Sequence, residues 1–76
     1  MEARKNNLSH VLDLRVNALV EDGYLIIEDD PDGYFRFIDL IHKRNGNRIS
    51  IAADLRHGGM IQRSNGKVVY NGAIQP

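Results

Sequence analysis

The chemistry open to this chain rests on three histidines, ten carboxylates, ten Lys/Arg cations and no cysteine. His10, His42 and His57 lie 32 and 15 residues apart, and dedicated metal sites instead announce themselves by close ligand spacing on one element. Asp54 stands near enough to His57 to join it across a strand end. Glu28-Asp29-Asp30-Pro31-Asp32-Gly33 lacks the ligand spacing and closing Glu of a calcium loop. The residues therefore predict no metal, no cofactor and no catalytic constellation.

The charges are segregated. Residues 1–32 hold eight Asp/Glu against three Lys/Arg, and residues 33–76 hold two against seven, so a formal net charge of zero conceals a −5 part and a +5 part. Six acidic residues fall between Glu21 and Asp32 with no cation among them. Asp30 and Asp32 suit a turn on hydrogen-bonding grounds, but Glu21 and Asp22 sit where a helix ends, and the helix dipole disfavours negative charge there. The cluster reads as a docking edge for a basic partner. Of the cations, Lys43, Arg44 and Arg48 flank Asn45-Gly46-Asn47, and Arg36 follows Tyr34 and Phe35. Arginine beside aromatic rings on a sheet is a feature of single-strand nucleic-acid binders.

Leu55-Arg56-His57-Gly58 resembles the Arg-His-Gly signature of the histidine phosphatase superfamily, in which the histidine is phosphorylated and the arginine binds the phosphoryl group. The resemblance covers four residues of 76. That family carries the motif near the start of a much longer α/β domain and supplies another arginine and histidine downstream. Here 19 residues and no further histidine follow His57. The same residues also read as a turn between strands, with glycines that permit positive φ.

The elements that must position these groups follow from periodicity. Leu8, Val11, Leu12, Val16, Leu19 and Val20 recur at three- and four-residue spacings and predict a helix over residues 8–22, with Asn6 or Asn7 as its cap and Gly23 just past its end. Strands are expected at about 24–29, 34–42, 48–55, 60–63 and 67–70, separated by Asp-Pro-Asp-Gly, Asn-Gly-Asn, His-Gly-Gly and Asn-Gly turns. Connections this short cannot make parallel crossovers. The expected fold is α+β in one small domain, 1–76: one N-terminal helix packed on a four- to five-stranded antiparallel β-meander.

One helix covers one face of a sheet, yet the second strand is apolar on both sides: Phe35, Phe37 and Ile41 on one, Tyr34, Ile38 and Leu40 on the other. Either a strongly curled sheet with Ala73-Ile74 folded back covers the second face, or another chain does. The longest apolar run, Tyr24–Ile27, is too short for a membrane helix. Residues 1–7 lack the apolar core of a signal peptide, and a cytoplasmic location is expected.

The sequence thus predicts a small non-enzymatic interaction or regulatory module that self-associates or docks a basic partner. Its expected interface is Glu21, Asp22, Glu28, Asp29, Asp30 and Asp32 with Tyr34, Ile38 and Leu40 on the first two strands. The alternative is nucleic-acid binding through Arg36, Lys43, Arg44, Arg48 and Arg56.

Overall fold

A computed structural model describes residues 2–76. It has one helix, α1 (Glu2–Glu21), followed by strands β1 (Tyr24–Asp32), β2 (Phe35–His42), β3 (Arg48–Asp54), β4 (Gly59–Ser64) and β5 (Lys67–Ala73). The strands form one antiparallel sheet in the order β1-β2-β3-β4-β5. This is the α+β meander that the short, turn-rich connections require.

Helix α1 begins six residues before the expected start, and Asn6 and Asn7 lie exposed within it rather than capping it. Its early turns are held to the far end of the sheet: Arg4 donates to the His57 carbonyl at 3.4 Å, and the Lys5 ammonium sits 5.4 Å from the centre of the Tyr34 ring. Ala, Arg and Lys are good helix formers, so these contacts extend an element that propensity already favours. At the other end Gly23 takes φ 107°. There the Asp22 carbonyl accepts from His42 Nε2 at 2.9 Å, while His42 Nδ1 accepts from the Arg44 N–H.

Leu12 and Val16 on α1 bury against Ile38 and Leu40 of β2, Ile49, Ile51 and Ala53 of β3, and Met60 of β4. Each fully buried Leu or Ile contributes about 1.5–3 kcal/mol of transfer free energy. Leu8, Val11 and Leu19 flank this core, whereas Val20 faces solvent. Two arginines strap the apolar stripe on either side. Arg36 on β2 reaches Asp13 of α1 and Asp29 of β1. Arg15 on α1 donates to the buried Gln62 side chain and to the Gln75 carbonyl, each at 2.8 Å, and lies over the Tyr70 ring.

β1 runs three residues further than expected, through Pro31, which pairs with Arg36. Proline is tolerated there because β1 is an edge strand. The turn contracts to Gly33-Tyr34, with Gly33 at φ 63°. Both edge strands carry an extra residue: Ile27 in β1 and Val69 in β5 interrupt the pairing register. The sheet stays open. Ile74 does fold back, donating to the Gly58 carbonyl at 2.7 Å, but it joins the core on the helix side. The second face is left bare.

Candidate protein-interaction face

Strand pairing fixes what the bare face presents. Register aligns Asp32, Phe35, Asp54, Gly59 and Ala73 across the five strands in one row. The next row is Asp30, Phe37, Ala52, Ile61 and Asn71, and the third is Glu28, Asp39, Ser50, Arg63 and Val68. Leu25, Ile41 and Arg48 begin a fourth. Phe35 and Phe37 are 49% and 45% exposed and stack with ring centroids 6.5 Å apart. They border an apolar groove of about 390 Å³ whose floor includes Ala52, Gly59 and Ile61.

The face is therefore an apolar centre with an acidic margin on β1 and β2. Glu28 and Asp39 are direct cross-strand neighbours of like sign, an arrangement that costs stability unless a cation approaches. Arg48 and Arg63 supply positive charge on the β3–β4 side of the same face.

Several residues expected at an interface lie elsewhere. Ile38 and Leu40 are 1% and 0% exposed beneath α1, so the apolar side of β2 that reaches solvent is the one bearing Phe35 and Phe37. The reason is register: Ile38 pairs with Ile51 and Leu40 with Ile49, which ties them to the helix-covered side of β3. Tyr34 is partly buried under two cations, Lys5 and Arg56, the latter 4.5 Å from the ring centre.

The acidic cluster is also divided. Glu28, Asp30 and Asp32 line the open face along β1. Asp29 turns to the helix side, where Arg36 holds it with two hydrogen bonds of 3.0 and 2.7 Å. This contact keeps the Asp29 carboxyl below its ordinary range despite the opposing effect of partial burial. Glu21 and Asp22 sit at the opposite end of β1, beside the α1 terminus.

The expected basic set separates in the same way. Arg36 is occupied by Asp13 and Asp29, with 14% of its side chain exposed, and these carboxylates push its pKa upward. It is not free to meet a phosphate. Lys43, Arg44 and Arg48 gather around the β2–β3 turn, while Arg56 is stacked on Tyr34 near the β3–β4 turn. The seven residues of β3 separate the two groups, a span of roughly 20 Å.

His57 Nδ1 lies 2.9 Å from Asp54 Oδ2, a contact that their three-residue spacing permits. Asp54 also accepts from the Arg56 and His57 backbone N–H groups, which makes it a turn cap. These contacts, led by the His57 ring, hold its carboxyl below the usual range. Among the described residues the His57 ring has Asp54 as its hydrogen-bond partner. Among the described residues no three His, Asp or Glu side chains come together in a way that could hold a metal ion, and no helix is long and apolar enough to cross a membrane.

No known protein family, curated protein or solved structure matches the chain. Asp39, Ala52, Gly59, Ile61 and Arg63 were not among the residues expected at the interface. The signal that points to them is the alternation of β3: its Ile49, Ile51 and Ala53 side must face the helix, so Ser50 and Ala52 and their register partners must face away.

Proposed function

We propose that this chain is a small non-enzymatic protein-interaction module whose working surface is the uncovered face of its sheet. The observation that carries this reading is the exposed, stacked Phe35–Phe37 pair beside an apolar groove. Single exposed hydrophobics are ordinary on soluble proteins, but a contiguous patch of them on one face marks a binding surface. Leu25 on β1 and Val68 on β5, each 53% exposed, add apolar surface towards the two edges of the same face. Glu28, Asp30, Asp32 and Asp39 add a margin that favours a partner with basic groups opposite it. A regulatory role in the cytoplasm is the setting that fits such a module.

A photo-crosslinking amino acid placed at Phe37 tests this, with the same group at Asn17, exposed on α1, as the control. Irradiation of cells producing each form, and of the purified chain, is expected to give protein adducts from position 37 and none from position 17. No adduct from position 37, or equal labelling from both, overturns the reading.

A further inference from the structure

The open face carries both a ridge and the hollow that fits it. The ridge is Phe35 and Phe37 on β2. Across β3, where Asp54 and Ala52 intervene, β4 presents Gly59 level with Phe35 and Ile61 level with Phe37. A half-turn about an axis lying in the face along β3 exchanges β2 with β4 and keeps each row level. A second copy brought on by that rotation lays its Phe35 on Gly59 and its Phe37 on Ile61, and receives the same contacts in return. Such self-complementarity is what an isologous interface requires.

One charge pair on β2 and β4 obeys the same symmetry, while Glu28, Asp30 and Asp32 of β1 come over Val68, Asn71 and Ala73 of β5 at the rim of the stack. Asp39 on β2 and Arg63 on β4 share a row, with Ser50 between them. Within one copy they are two strands apart, roughly 10 Å, and Arg63 makes no ion pair among the described residues. The rotation sets Asp39 of each copy over Arg63 of the other. This supplies the cation that the like-charged Glu28–Asp39 neighbours lack. Along the axis β3 meets its own image through small residues, Ser50 and Ala52. Arg48 and Asp54 meet their images only at the two ends of the stack, where Arg48 extends into water and Asp54 is already held by His57.

The size is sufficient. Five strands and about seven residues of strand length cover roughly 550 Å² per copy, so two copies bury roughly 1,100 Å², near the lower bound of a specific interface. We infer that the partner of the open face is a second copy of this chain, stacked two-fold with ridge in groove and paired Asp39–Arg63 contacts. The inference rests on that face being a protein-binding surface.

Light-scattering mass after size exclusion tests it, at about 50 mM and about 500 mM salt to vary screening. The wild-type chain is expected at twice its 8.6 kDa mass, with weaker association in the higher salt. Asp39→Arg and Arg63→Asp should each raise the dissociation constant at least tenfold, and the double reversal should restore it to within a few-fold. A monomer throughout, or a double variant as weak as the single ones, overturns the two-fold stack. A monomer whose position-37 crosslinker captures a different protein overturns the stack and leaves the interaction reading standing. A monomer with no adduct overturns both.

Discussion

Arg36→Met removes a charged clamp while keeping a long apolar stem in its place. The guanidinium makes three short hydrogen bonds, 2.6 Å to Asp13 and 2.7 and 3.0 Å to Asp29, from a side chain 14% exposed. Hydrogen bonds to charged groups are worth about 1.5–3 kcal/mol each when buried. Here Asp13 and Asp29 are 48% and 31% exposed, so solvent screening reduces the sum to about 2–3 kcal/mol. For a domain of this length about 1 kcal/mol moves the melting temperature by about 4–8 °C, so Arg36→Met should melt about 10–20 °C lower. Thermal unfolding followed by circular dichroism between pH 7 and pH 2.5 reads both the size and the cause. The folded state depresses the pKa of Asp29. Its contribution is therefore complete above its ordinary value of 3.8 and is lost as pH falls through the lower folded-state value. The gap between wild type and variant should be full at about pH 5 and close as the solution becomes more acid. A gap that stays constant to pH 2.5, or a drop of less than about 3 °C at neutral pH, would refute the ion-pair account and leave only packing.

Gly23→Ala meets both a positive φ of 107° and a Cβ position 2.7 Å from His42 Nε2, whereas Gly46→Ala, at φ 73°, meets open space. Chemical denaturation should give a cost of about 2–3 kcal/mol for the first and about 1 kcal/mol for the second, and equal costs would argue against a close approach of His42. Leu12→Ala empties the centre of the core, where Leu12 is 0% exposed. A loss of about 3–4 kcal/mol is expected, enough to lower the urea midpoint by at least about 1 M. Asp54→Asn should destabilise the β3–β4 turn near neutral pH. Because the folded state depresses the pKa of Asp54, the deficit should disappear in acid as the wild-type carboxylate is itself protonated; melting curves across that range check the sign.

The order and type of every element could be read from turn chemistry and periodicity, because each β connection here is short and marked by Gly or Asn. Two physical facts hid the rest. β2 is apolar on both sides, so its own residues cannot say which side the helix covers; only its register with β3 does. In β1, strict alternation from Tyr24 would place Glu28 and Asp30 on the helix side. The extra residue at Ile27 reverses this, sending Asp29 inward to Arg36 and its neighbours outward. The helix start was obscured for a different cause: Arg4 and Lys5 gain partners more than fifty and nearly thirty residues away in sequence, which no local pattern records.

The irregularities of the edge strands bear on how assembly stops. An open sheet has two rims of unpaired backbone, and a regular rim accepts another strand, then another, without limit. Here each rim is broken by an unpaired residue, Ile27 on one side and Val69 on the other. The first rim also holds Pro31, which has no N–H to offer. Growth by strand addition is thus frustrated at both ends of the sheet. What remains available is the open face between them, and a surface that is used up by a single occupant ends in a finite particle instead of a fibre.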